Sequence, residues 1–224
     1  MPTESNSDFA TFDAFGDDHF EKILPPYLTS PEKSRLKEGL EQFFPENSTK
    51  EIKYDNFYQD DTDSYFKQSD LIAEVRFPEW DETHRQYNAL YGDAMLLSNT
   101  CDINPVNQRN ANSKESLFAP IIDLPEYLSD LRINGYNDNQ LQTFEADIKR
   151  QRITNILYLP PYRDTGPSYI VLLDFIFRFP TAELNKLLMN ITQEKIKSLS
   201  RFGYYLFIFK LSYHLCRVPE EKER

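Results

Sequence analysis

Residues 91–102, YGDAMLLSNTCD, decide how the rest of this chain is read. The turn signal Gly92-Asp93 leads into four apolar residues, 94–97, and then into Ser98, Asn99, Thr100, Cys101 and Asp102. A short apolar run after a turn predicts a buried strand. Its polar end would bring hydrogen-bonding groups to the end of a sheet, a position where sites are often built.

Upstream, residues 70–77 (DLIAEVRF) alternate strictly, with Leu71, Ala73, Val75 and Phe77 on one side, and predict a half-buried strand. Residues 78–91, which carry the only tryptophan, read as a polar linker between the two strands. Further back, Ser30 followed by Pro31 predicts a capped helix over 31–44, stopped by Pro45. A helical turn is expected at 19–24, before Pro25-Pro26. Residues 48–68 show no periodicity and read as a connector pinned by its aromatics. Asp60, Asp61 and Asp63 lack the glycine and distal glutamate of a calcium loop and read as solvated charge.

Downstream, an Asn-rich loop at 104–116 precedes a strand at 117–124, bulged or at an edge because Pro120 has no amide to donate. Helices are expected at 124–131 and 140–152, a short strand at 156–159, and one long strand over 169–179. Thr181 would cap a helix through Met189, and a last helix would run over 197–217. Five strands with helices between them imply an α+β protein on a small, curved antiparallel sheet.

The chain has 224 residues, which suits one large domain or one domain with an appendage. An apolar content of 40 % is ample for a core. With 25 basic against 36 acidic residues, the net charge of −11 argues against a sequence-independent nucleic-acid binder. Cys101 and Cys216 lie far apart without a secretory signal, so a reducing cytoplasm is expected and a disulfide is not. No apolar run is long enough for a membrane span. No cofactor and no metal are expected, because Gly-rich phosphate loops and clustered ligands are missing.

Cys101 could be a nucleophile with Asp102 as acid or base, but His19, His84 and His214 have no sequence context that sets one beside it. The reading favoured here is a buried small thiol and an Asp that caps the following turn. Asn107 and Arg109 could pin the loop, Arg109 by pairing with Asp102. Lys149, Arg150 and Arg152 read as a solvated helix face, or as a groove for RNA or a partner.

Three stretches resemble bacterial PemK/MazF-like proteins: GDAMLLSNT, YIVLLDFIFRFPTAEL and IKSLSRFGYYLFIFKL. SNTCDI with a following APII resembles an uncharacterised subgroup associated with mobile and defence-linked genes. The resemblance implies an SH3-like barrel with inserted helices, an N-terminal helical extension and a C-terminal helix. It divides the chain into a flexible acidic and aromatic tail (1–17), a helical extension and connector (18–66), the barrel domain (67–217) and a charged tail (218–224). Ribonucleases of that group use an Arg near the first strands and a later Ser or Thr. Here Ala94-Met95 stands where their Arg-Pro pair precedes the apolar strand. The expectation is therefore a non-enzymatic, cytoplasmic interaction component of a defence or toxin–antitoxin assembly, with a protein partner and a homo-oligomer as an allowed state. The alternative is an endoribonuclease on single-stranded RNA using Asp102, Arg109, Ser98 and Thr100. Asn99, Cys101, Asn107, Lys149, Arg150 and Arg152 would then line its binding surface.

Overall fold

In the computed structural model, residues 28–41, 52–104, 114–162, 166–187 and 195–215 are described. Helix α1 (Ser30–Glu41) is followed by β1 (Tyr58–Gln59), β2 (Leu71–Asp81), β3 (Gln86–Leu96) and α2 (Thr100–Ile103). Next come β4 (Glu115–Asp123), α3 (Leu124–Ile133), α4 (Asp138–Lys149), β5 (Ile156–Leu159), β6 (Tyr169–Leu172) and β7 (Phe177–Pro180). The last elements are α5 (Thr181–Leu187), β8 (Lys195–Leu199) and α6 (Arg201–Leu215).

Among the described residues the protein is a mixed helix and strand fold on an antiparallel sheet of eight strands. The sheet is open, in the order β1-β8-β2-β3-β4-β6-β5, with β7 also pairing with β4. Burial explains this order. Residues 94–96 of β3 are fully buried and sit between β2 and β4, so the quoted stretch is the centre of the sheet. One core cluster joins Met95, Ala119, Leu157 and Val171 to Leu36 of α1 and to Phe202, Leu206 and Phe207 of α6. A second holds Ile72, Ala94, Phe118 and Phe177. Burying a side chain the size of Phe207 contributes roughly 2–3 kcal/mol, so the α6 contacts alone are substantial.

Several expectations need correction. The cap of α1 is Thr29, not Ser30: its N–H donates to Glu32 Oε2 at 2.8 Å, and its C=O accepts from Lys33 N. The stretch 78–91 is not a linker. β2 runs on to Asp81 and β3 begins at Gln86, so both strands of a hairpin pass through it. The long strand over 169–179 is two strands, because residues 173–176 turn away between β6 and β7. Both pair with β4 in succession, and the register slips between them. Phe175 is 65 % exposed in that turn, whereas Tyr169, Val171, Leu173 and Phe177 are buried. The expected last helix begins only at Arg201; β8 precedes it and pairs with β1 and β2. Finally, Asp61 is not solvated: its side chain is 6 % exposed and ion-paired to two lysines. The expected turn at 19–24 and residues 42–51, 105–113 and 188–194 lie outside the described residues.

Candidate functional site

The corner after β3 is held by its own polar side chains. Leu97 N–H donates to Leu117 C=O, and Leu117 N–H donates to Ser98 Oγ, both at 2.8 Å. Asn99 caps α2, its Oδ1 accepting from Cys101 N–H at 2.8 Å. Asp102 is exposed in the first turn of α2, and the turn it was expected to cap runs on into residues outside those described. Thr100 Oγ1 accepts from Gln68 N–H at 2.9 Å. Gln68 Nε2 in turn donates to Leu97 C=O, and Gln68 Oε1 accepts from the Tyr204 hydroxyl. Ser98, Asn99 and Thr100 thus weld the end of β3 to β4 and, through Gln68, to α6. Cys101 is exposed. Asn107 and Arg109 fall outside the described residues.

The basic residues lie elsewhere, at the end of α4. Lys149 pairs with Glu145 at 2.6 Å and Arg152 with Asp147 at 3.3 Å, so both charges are balanced along the same helix. Arg150 is the C-cap, and its side chain, with Lys149, lines a shallow groove beside Tyr54 and Tyr158. The corner and the basic face share none of these contacts; the hydrogen-bonded corner and the α4 end are separate places.

Two buried features escaped the sequence reading. Lys195 Nζ lies 2.9 Å from both Asp61 Oδ2 and Asp70 Oδ2 and also donates to Tyr65 C=O. Ser198 Oγ donates to Asp70 Oδ1 at 2.6 Å and lies 3.1 Å from Asp61. Lys67 pairs with Asp61 and Asp63. Burial works to raise Asp61, but hydrogen bonds from Lys195, from Asp63 N–H and from Lys67 outweigh it and hold the carboxyl well below the usual range. Asp70 goes the other way: burial pushes it up, against the pull of Lys195 and Ser198. A cleft of about 270 Å³ touches this cluster and is lined by Lys67, Asp70, Thr100, Ser198 and Tyr204. The cluster itself has almost no exposed atoms, so it ties the 60–70 segment to β8.

The second feature is Lys210 on α6, fully buried, whose ammonium donates to the carbonyls of Gln151 and Ile153. Burial alone pushes its pKa down to about 7. Gln151, at φ +59°, is also fully buried. Its amide exchanges hydrogen bonds with both Tyr158 N–H and Tyr158 C=O, extending β5 by a side chain.

A third feature is the arm formed by residues 76–91. Among the described residues its two strands pair with each other and with no third strand: β8 reaches β2 at Leu71 and Ile72, and β4 reaches β3 at residues 94–96. The bulge between Ile72 and Val75, with Glu74 at φ +54°, marks where the hairpin departs from the sheet. Phe77 anchors its base, 5.2 Å from the Phe177 ring. At the tip, Asp81 accepts from His84 N–H and from Asn88 Nδ2, both at 3.0 Å. Tyr87 and Tyr91 are 71 % and 64 % exposed. A groove of about 570 Å³ runs between the arm and β7–α5, with Tyr87, Ala89 and Tyr91 on one wall and Phe179 and Leu187 on the other. In sequence the arm was hidden by its polar and small residues; the signal was the even spacing of Tyr87, Ala89 and Tyr91.

Neither a family model nor a curated protein matches the chain. Among the described residues no helix is long and apolar enough to cross a membrane, and no group of three or more His, Cys, Asp or Glu could hold a metal.

Proposed function

We propose that this protein is a non-enzymatic interaction module that docks through the β2–β3 arm. The carrying observation is that, among the described residues, no third strand pairs with residues 76–91, and that Tyr87 and Tyr91 are exposed on one face. Open main-chain donors and acceptors beside aromatic side chains are what strand-addition binding uses. The setting, a cytoplasmic bacterial defence or toxin–antitoxin assembly, rests on the resemblance of residues 92–100 and the later stretches to PemK/MazF-like proteins. An SH3-like curvature is favoured by the β2 bulge and by the three partners of β4.

The test places a photo-crosslinking amino acid at Tyr87 in the full chain, with Ile133, also exposed, as the control position. A discrete protein adduct from position 87 and none from 133 is expected, together with intact RNA and unaffected growth on expression. Absence of an adduct at 87, or cleavage of single-stranded RNA that is lost in Thr100→Ala, would replace this reading with the endoribonuclease.

A further inference from the structure

We infer that the Ser198 hydroxyl is a rotor gated by a proton on Asp70. It points to Asp70 when that carboxyl is ionised and to Asp61 when it is protonated. The second state holds residues 60–70 more firmly on β8.

A count of donors leads there. Two carboxylate oxygens, Asp70 Oδ1 at 2.6 Å and Asp61 Oδ2 at 3.1 Å, lie within hydrogen-bond distance of Ser198 Oγ. The hydroxyl has one hydrogen to give. Among the described residues no neighbour makes up the shortfall. Lys195 Nζ spends its three hydrogens on Asp61 Oδ2, Asp70 Oδ2 and the Tyr65 carbonyl. Lys67 N–H donates to Asp70 Oδ2, and Lys67 Nζ pairs with Asp61 and Asp63. One proton from solvent closes the count. Placed on Asp70 Oδ1, it donates to Ser198 Oγ, and the serine hydrogen turns to Asp61 Oδ2.

The charges select Asp70 for that proton. Asp61 has two ammoniums, at 2.9 and 3.1 Å, and accepts from Asp63 N–H as well. Asp70 shares only Lys195. The charges of Asp61, Asp63, Lys67 and Lys195 sum to zero, so an ionised Asp70 leaves a net negative charge at a residue that is 1 % exposed. Burial accordingly pushes Asp70 up, whereas on Asp61 burial is outweighed by the donors around it.

The other charged groups nearby answer one another. Lys197 of β8 pairs with Asp60, and Arg201 of α6 lies 3.8 Å from Glu32 of α1. α6 also brings the Tyr204 hydroxyl to Gln68 Oε1, and Tyr205 lines the cleft beside it. From β3 the contact is main-chain, Leu96 N–H donating to the Asp70 carbonyl. α2 meets the segment through Thr100, and its Asp102 is exposed. Asp70 and Ser198 line the same cleft, which admits the proton.

The rotor sits where it can govern a strap. Gln59 of β1 pairs with Ser198, and Leu71 of β2 pairs with Lys197, so residues 60–70 leave β8 and return to it. Gln68, inside the strap, reaches Thr100 and Tyr204, so a tighter strap also steadies the corner after β3. Above the titration of Asp70, Asp61 loses the hydroxyl and the buried charge is unbalanced. Below the titration of Asp61, the lysine pairs are lost. The strap is firmest between the two.

Amide exchange at Gln68 and Ser69 of the full chain, corrected for the intrinsic rate at each pH, tests this. Protection is expected to peak in mild acid and to fall by roughly three- to tenfold on going to neutrality, the worth of one hydrogen bond. Asp70→Asn places an amide N–H where the protonated oxygen would donate and leaves the amide oxygen for Lys195 and Lys67 N–H. It should keep the acid level of protection at neutral pH, and adding Ser198→Ala should remove that gain. In the wild type, carbon NMR of the carboxyl groups should show Asp70 titrating above 3.8, with the Asp61 carbon shifting at the same pH. That measurement needs no variant to fold. Asp70 titrating at or below 3.8, protection that is flat or rises from mild acid to neutrality, or an Asp70→Asn profile that still falls would overturn the inference.

Discussion

Gly203, in the first turn of α6, faces the carbonyl of Phe57 so closely that a Cβ there would lie 2.5 Å from the oxygen. The same carbonyl accepts from Ser200 N–H at 2.9 Å, so it cannot retreat without breaking the entry to the helix. Gly203→Ala should destabilise the protein by about 1–3 kcal/mol despite alanine's better helix propensity, as overpacking does. Denaturant unfolding measures this; an unchanged or raised midpoint contradicts the contact.

Lys210 gives a pH signature in the alkaline direction. Its folded pKa is about 7, against an ordinary 10.5, so between those values the unfolded chain binds a proton that the folded one does not. Stability should therefore rise with pH over that window and be flat below it. Lys210→Met should abolish the rise. It should also cost roughly 1–3 kcal/mol through the Gln151 carbonyl, which loses the Lys210 donor, whereas the Ile153 carbonyl keeps the Ile156 N–H. Urea curves from pH 6 to 10 decide this, and an equal slope in the variant would count against it.

The Asp61–Lys195–Asp70 cluster acts in acid, with two opposite signs. Asp61, held low, contributes stability that is present above pH 3.8 and is lost as the pH falls towards its folded pKa. Asp70, held high, keeps its proton in the folded state at a pH where the unfolded chain has lost it. Its contribution is present below 3.8 and disappears as the pH rises through its folded pKa. Asp61→Asn should therefore weaken the protein at neutral pH and shrink the acid limb, whereas Asp70→Asn should remove the stability lost on leaving acid. Unfolding free energies from pH 2 to 7 separate them.

At the corner, Thr100→Val removes the acceptor for Gln68 N–H at nearly constant volume. A loss of about 1–2 kcal/mol is expected, together with faster amide exchange at Gln68. Unaltered exchange there would show that the weld is not made.

How much of this was legible in the chain depends on whether a segment carries its own signal. Residues 94–97 are uniformly apolar, and they form the sheet centre as read. The strand at 156–159 and the helices at 124–131 and 140–152 were legible for the same reason, to within a turn. β8 was not: its sequence KIKSL has two lysines, and only the long-range pairing of Lys195 with Asp61 and Asp70 makes a strand there favourable. The arm was missed because its exposed strands, QYNALY above all, need no apolar alternation when no core lies beneath them. Asp61 was misjudged because Lys195, the buried partner that joins it to β8, is 134 positions away in sequence. Of the proposed site residues, Ser98, Asn99 and Thr100 spend their polar side-chain atoms on local hydrogen bonds, a use that their small polar character suggests but whose partners, Gln68 and Leu117, the stretch itself does not name.

Pro78 has a consequence for the strand edge it occupies. It has no amide to donate, and the bulge at Glu74 bends the same strand, so a further strand arriving on that side would meet an interrupted ladder. That side of the hairpin therefore resists the edge-to-edge addition by which sheets grow into fibres.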